Sequence, residues 1–383
     1  MDIFLLGAGA SAPLGLPTAK GFLKDFQPTN NNLFYAICEY LNVKPAEADV
    51  EAIMPILEGL SQVSKSCLRS LFANGRTRNI ATFKPSDFNF GDSFTSPYTK
   101  ANIEKGISVV LDDLSQQAKK LYTEIKTHSL RKLKNFKYGD AFELLKGVFQ
   151  KAVSEDNPTK IFTTNYDLVI ERAFCDNSLN LSRFWRGLGA KDLYLGFKTT
   201  SASINIFSLD SKTVNAPGVI SIFKLHGSVN WLPYDGNVTS SGLTVPNNPD
   251  EVCIIYPGYK GVPEKEPFVT LHLEFLKSLQ EADRLISIGF AFRDLYINAI
   301  IHHALSLNEK LKVYAMVPEF PNDYQKDSQN DYQNDSQFPA LQSSFPNRAI
   351  HLPGKLGEND LWDLLEEGGK LKMSPAGKVI KKS

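Results

Sequence analysis

The chain has 383 residues, enough for two or three domains or for one large α/β domain carrying an insertion. Apolar residues make up 42% and charged residues 22%, so a full core can form. The 42 basic and 42 acidic residues cancel, which argues against a dedicated nucleic-acid binder with its basic stripe, and no apolar run approaches the ~18 residues of a membrane span.

The first residues, MDIFLLGAGAS, join an acidic second position to a short apolar run, the pattern of a buried strand and not of a signal peptide. Residues 3–6 run apolar into Gly7-Ala8-Gly9, as a strand buried on both faces does when it ends at a ligand-facing turn. Helical spacing with charged faces then covers 32–40, 46–72, 102–126 and 138–153, with a Phe-rich loop at 82–98. Further strand-like runs lie at 160–163, 219–225, 252–256, 285–289 and 311–317. Helical patterns at 168–174, 271–282 and 295–307 separate several of them, and 191–213 alternates in short bursts that predict a small β-element.

The expected fold is α/β: a Rossmann-like, mostly parallel sheet with helices on both faces and an inserted helical subdomain. Expected boundaries are 1–25 and 155–320 for the core, 26–154 for the helical insertion, and 321–383 for a polar repeat loop and C-terminal segment. In that last stretch 322–329 (NDYQKDSQ) is copied at 330–337 (NDYQNDSQ), too polar and too short an array to bury a core. The basic residues of 378–383 read as a solvated end. The four cysteines (Cys38, Cys67, Cys175, Cys253) form no CxxC pair and suit a reducing, cytoplasmic compartment.

Four short motifs can carry chemistry. Gly7-Ala8-Gly9-Ala10-Ser11-Ala12 fits G-x-G-x-x-G/A after a strand, where glycine permits close backbone approach to phosphate. A dehydrogenase would place a ribose-binding acid near Asp25, but no second strand ends there. Thr163-Thr164-Asn165-Tyr166-Asp167 sits where open α/β sheets bind ligands, and could equally cap the following helix. In Lys224-Leu225-His226-Gly227-Ser228, a histidine ends a buried strand, placed to act as a general base near neutral pH. His128, His272 and His351 read as packing residues. Ser287 to Asp294 (SIGFAFRD) is another strand-to-glycine transition, in which Arg293 and Asp294 could cap a helix or reach a ligand.

The ordered set GAGAS, TTNYD, LHGS and GFAFRD, spanning Gly7 to Asp294, resembles the sirtuin superfamily, and within it the bacterial NAD-hydrolysing branch of anti-phage defence. The resemblance implies that NAD is bound as substrate by Gly7, Ala8, Gly9, Ala10, Ser11, Thr18, Thr164, Asn165, Asp167, Gly289, Phe290 and Ala291. It implies Asn165, His226 and Asp167 as catalytic residues, with Asn165 positioning the ribose or the attacking water. It also implies a homo-oligomer whose activity is gated, in company with a HerA-type ATPase partner.

Three departures turn the expectation from deacylation to hydrolysis. Sirtuin deacylases carry a Pro-Asp-Phe-Arg run after the first turn, where this chain reads Gly15-Leu16-Pro17-Thr18-Ala19-Lys20. They also bind zinc through two cysteine pairs, whereas 227–288 holds only Cys253, so no four-thiolate zinc site is expected. The third is the long helical insertion itself. The expected reaction is cleavage of NAD to nicotinamide and ADP-ribose. A non-catalytic NAD or ADP-ribose sensor is the alternative, with a protein deacylase, an ADP-ribosyltransferase and a plain dehydrogenase behind it.

Overall fold

A computed structural model describes residues 1–18, 21–29, 31–61, 100–134, 141–149, 151–153, 155–174, 191–200, 204–248, 251–255, 263, 265–317, 336–355 and 361–368. The loop expected at 82–98, residues 322–335 of the tandem copy, and the basic end 378–383 lie outside them. The chain divides into two compact units, Met1–Phe22 with Ser129–Ser383, and Leu23–His128.

The first unit is built on a seven-stranded sheet. Its strands are β1 (Asp2–Leu6), β2 (Thr159–Thr163), β3 (Asp192–Tyr194), β6 (Val219–Lys224), β9 (Arg284–Ile288), β10 (Lys312–Val317) and β11 (Ala349–Pro353). They lie in the order β11-β10-β9-β1-β2-β6-β3, and every pairing is parallel. Strands in such a sheet are covered on both faces, which is why β1, β2, β6 and β9 read as near-continuous apolar runs. The Rossmann-like sheet expected from alternating strand and helix patterns is present. The chain leaves β1 toward β2, β6 and β3, then returns to the other side of β1 with β9. Such a reversal of strand order opens a crevice at the carboxyl ends of the strands.

A second, antiparallel sheet has the order β4-β5-β8-β7, formed by Phe197–Thr199, Asn205–Phe207, Asn237–Ser240 and Trp231–Tyr234. Its buried Trp231 meets Phe197 edge-on and packs beside Phe207 and Phe268. Part of the β-element expected over 191–213 therefore lies here, while β3 joins the main sheet.

Two charges are buried inside the main sheet. Lys160 of β2 reaches Glu274 at 2.9 Å and Ser278 at 3.1 Å on the helix Phe268–Glu281. Lys224 of β6 pairs with Glu171 at 2.9 Å on the helix Val169–Phe174. Burial pushes the Glu171 carboxyl above its ordinary value despite the neighbouring ammonium, because desolvation outweighs the pairing there. Around these charges the core is aromatic, with Phe162 stacked on Phe223 at 4.6 Å and tilted against Phe275 at 4.8 Å.

The second unit contains the helices Asn31–Tyr40, Val50–Ser61 and the larger part of Lys100–Lys134. Each buries one apolar stripe, as the spacing of Ile53, Met54 and Leu57 illustrates. Among the described residues, no helix is long and apolar enough to cross a membrane.

The structure corrects one expected strand. Residues 252–255 make only an isolated bridge, Gly227 to Ile254. Their backbone is spent instead on the loop after β6: Ile255 N donates to His226 O, Cys253 N to Trp231 O, and Ser228 N to Cys253 O. Conversely, β11 and the helices Phe338–Ser344 and Leu361–Gly368 form where no strand or helix is expected from the sequence.

Candidate functional site

The register of the parallel sheet aligns the ends of its central strands. Ile288 of β9 pairs with Leu6 of β1, Leu6 with Thr163 of β2, and Thr163 with Lys224 of β6. The motifs GAGAS, TTNYD, LHGS and GFAFRD begin at that row or one residue beyond it. They therefore emerge side by side at the carboxyl edge, the position open α/β sheets use for ligands.

The first and last motifs nest backbone to backbone. Gly7 N donates to Ile288 O and Gly9 N to Gly289 O, each at 2.9 Å. A Cβ on Gly7 would lie 2.4 Å from the Phe290 Cα, and one on Gly289 would lie 2.2 Å from the Ala10 nitrogen. Gly289 also has φ +64, a left-handed conformation that costs other residues about 1–2 kcal/mol. These glycines let two loops on either side of the reversal in strand order close on one another.

Asn165 ties the second motif to the first. Its Nδ2 donates to Gly7 O at 3.0 Å and to Ser11 Oγ at 3.1 Å. A carbonyl oxygen only accepts, so the hydrogen-bond network itself assigns the amide orientation. The loop is fixed from below: Thr163 Oγ1 donates to Leu6 O and accepts from Asn165 N. With both amide hydrogens committed, Oδ1 is the group Asn165 has left to accept from a ligand hydroxyl or a water.

His226 is 3% exposed, and its Nε2 lies 2.9 Å from Oδ2 of Asp294. Its Nδ1 is buried with no hydrogen-bond partner. The other Asp294 oxygen accepts from Tyr296 N and Ile297 N, both at 2.9 Å, and so caps the helix Leu295–Leu307. Burial pushes the Asp294 carboxyl upward. The His226 hydrogen bond and charge, with the helix amide, overcome this and hold it below its ordinary value. Gly227 has φ +81, and a Cβ there would lie 2.2 Å from Cys253 O, so only glycine lets residues 252–255 brace this loop.

His272, read from sequence as a packing residue, stacks its ring 6.4 Å from that of His226. Its Nδ1 pairs with Phe268 O at 2.8 Å, and desolvation pushes its pKa down to about 4, so at neutral pH it is uncharged.

The remaining expected residues divide. Asp167 spends Oδ1 on Val169 N at 2.9 Å, the cap of the helix Val169–Phe174, while its own carbonyl accepts from Lys224 Nζ. Thr164 N donates to Leu6 O, and Ala10 N to Gly7 O, within the nested turns. Phe290 is buried and packs on Phe292, whereas Ala8 and Ala291 keep surface at the same edge. Thr18 is exposed, and no described hydrogen bond joins it to the other site residues. Among the described residues, no three His, Cys, Asp or Glu side chains gather to hold a metal ion.

Sequence reasoning read Asp294 as a helix cap or ligand residue, without its pairing to His226, and passed over Lys224. An acid opening a helix just past a glycine turn is the available signal for Asp294. A lysine inside an apolar strand run, which must find a buried acid, is the signal for Lys224.

No protein of curated function matches the chain. Solved structures of Sir2 homologues are similar along the chain's length at low identity. One is a triple mutant bound to 2′-O-acetyl ADP-ribose, 14% identical with a TM-score of 0.43, covering 96% of this chain and 92% of its own. Another is a complex with NAD, 14% identical with a TM-score of 0.42, covering 96% and 89%. Residues 159–340, which carry three of the four motifs, match the family model of the SIR2-like domain.

Proposed function

We propose that this chain is an NAD glycohydrolase, cleaving NAD to nicotinamide and ADP-ribose with water as the acceptor. One observation carries the reading: His226 Nδ1 is a buried polar atom without a partner, and Asn165, its Nδ2 committed to Gly7 O and Ser11 Oγ, stands at the end of the adjacent strand with Oδ1 to offer a ligand. Breaking an N-glycosidic bond builds oxocarbenium character on the ribose, and needs an oriented water and a proton acceptor. Asn165 orients the water or a ribose hydroxyl through Oδ1, and His226 takes the proton. Asp167 acts through the loop, since its carboxylate caps the following helix. The nested turns of Gly7 to Ser11 and Gly289 to Ala291, with Thr164, line the dinucleotide, and Thr18 joins them from the surface. No zinc takes part.

Free NAD hydrolysis would deplete the cell that makes the enzyme, so the activity is gated. We take the chain to be a homo-oligomeric cytoplasmic effector of anti-phage defence that works with a HerA-type ATPase, its residues 26–154 being an insertion into the core. Isothermal titration with NAD, run alongside a nicotinamide assay, separates this reading from a non-catalytic sensor. The hydrolase reading expects binding with turnover in the wild type, and binding with turnover reduced ~10²–10⁴-fold in His226→Ala. Tight binding with no turnover in any preparation, including one with co-purifying partners, makes the chain a sensor instead.

A further inference from the structure

We infer that Asp294 is the positioning residue for His226: its carboxylate holds the imidazole with the hydrogen on Nε2, leaving Nδ1 as the base that accepts the proton of the attacking water. This rests on the glycohydrolase reading and adds a residue acting through His226. A carboxylate only accepts, so the 2.9 Å contact to Oδ2 requires Nε2 to be the donor. Nδ1 is then a bare lone pair, buried and unpartnered. Buried polar atoms in that state are rare, and this one fits a hydrogen bond supplied from outside the chain.

The clamp is rigid because Asp294 is held twice. Its second oxygen is engaged by the amides of Tyr296 and Ile297, so the carboxylate cannot turn away from His226. The preceding turn is set by Phe292, which takes a left-handed φ of +56 and whose carbonyl accepts from Asn298 Nδ2 at 2.8 Å and from Gln337 N at 2.8 Å. A non-glycine residue in that region persists only where its surroundings impose it. Here the result is that an acid two residues on faces a histidine from a strand three places away in the sheet. The other titratable rings beside the pair are Tyr166 after β2, His272 on the helix Phe268–Glu281, and Tyr296 on the helix Leu295–Leu307.

In the reaction the water oxygen bonds to the ribose carbon as the carbon–nitrogen bond to nicotinamide breaks. Nicotinamide leaves neutral with the bonding pair. The water proton passes to Nδ1, and the imidazolium so formed is stabilised by Asp294 until it returns the proton to solvent. The products are nicotinamide, ADP-ribose and one proton.

Asp294→Asn is the informative variant. Asparagine keeps an oxygen to cap the helix, and caps about as well as aspartate, but it presents an amide NH₂ to Nε2 and drives the hydrogen onto Nδ1. Nitrogen-15 spectra of histidine-labelled protein are expected to show His226 as the Nε2–H tautomer in the wild type and as the Nδ1–H tautomer in Asp294→Asn. The variant should lose ~10²-fold or more in kcat while KM for NAD stays within about threefold. An Nδ1–H tautomer in the wild type, or an Asp294→Asn protein with unchanged kcat and tautomer, overturns the inference. Should the chain release no nicotinamide, or the variant not fold, the wild-type spectrum alone decides it, so failure of the inference is distinguishable from failure of the glycohydrolase reading.

Discussion

At the residue scale, Asn165 shows how a side chain is fixed before any ligand arrives. Both its amide hydrogens are bound to the first turn, so replacement acts on the turn as well as on the open oxygen. Asn165→Ala is expected to lower nicotinamide release ~10²–10⁴-fold in a product assay. Asn165→Asp should also destabilise the fold by about 1–3 kcal/mol in a denaturant titration, because a carboxylate oxygen would face the Gly7 carbonyl.

His272 makes a pH prediction. Its folded pKa of about 4 lies below the ordinary 6.5, so below pH 6.5 the unfolded chain binds the proton more readily. The stability it contributes is complete above about pH 6.5 and is lost as pH falls toward 4, up to about 3 kcal/mol. Asp294, also lowered, acts in the same direction at more acid pH. Urea midpoints of the wild type should fall over that window, and His272→Gln should flatten the slope. An equal slope in the variant would show that His272 is not the group responsible.

Residue identity was legible where chemistry and strand position coincide. His226 ends an apolar run, and a glycine follows it. Asp294 was harder to read because its partner lies 68 positions earlier in the chain and three strands away, as the numbers 226 and 294 show. Asp167 was read in the sequence both as a ligand residue and as a cap, and its side chain makes the cap.

At the element scale, the nested loops set what the site tolerates. Gly289→Ala places a methyl 2.2 Å from a backbone nitrogen at a left-handed position. Overpacking and backbone strain together should cost about 2–4 kcal/mol, read as a lowered denaturation midpoint. The buried pair between β2 and the helix Phe268–Glu281 gives a second test. Lys160→Met alone leaves Glu274 unpaired and should cost about 3–5 kcal/mol, whereas Lys160→Met with Glu274→Leu should recover most of that loss.

The main strands were readable because a parallel sheet buried on both faces writes unbroken apolar runs. Residues 252–255 carry the same composition and form no strand, since their amides are taken by the His226 loop. Strand β11 is five residues of mixed character at the sheet edge, too short for periodicity to mark.

At the scale of the whole molecule, every described contact of the site lies within the unit formed by Met1–Phe22 and Ser129–Ser383. A ligand that binds only the folded state stabilises it by RT ln(1 + [L]/Kd), about 2.7 kcal/mol at a hundred times Kd. A non-cleavable NAD analogue should therefore raise the thermal midpoint of the wild type, and Asn165→Ala should lose most of that shift. Gating by assembly belongs to this scale too, with activity expected to rise with protein concentration or with partner proteins.

The central claim is that bound NAD is consumed with water as acceptor. It is tested most directly by incubating the purified chain with NAD, alone and with co-purifying partners, and separating the products by chromatography. The account predicts equimolar nicotinamide and ADP-ribose, both reduced ~10²–10⁴-fold with His226→Ala. NAD recovered intact, or converted to its reduced form, would contradict it.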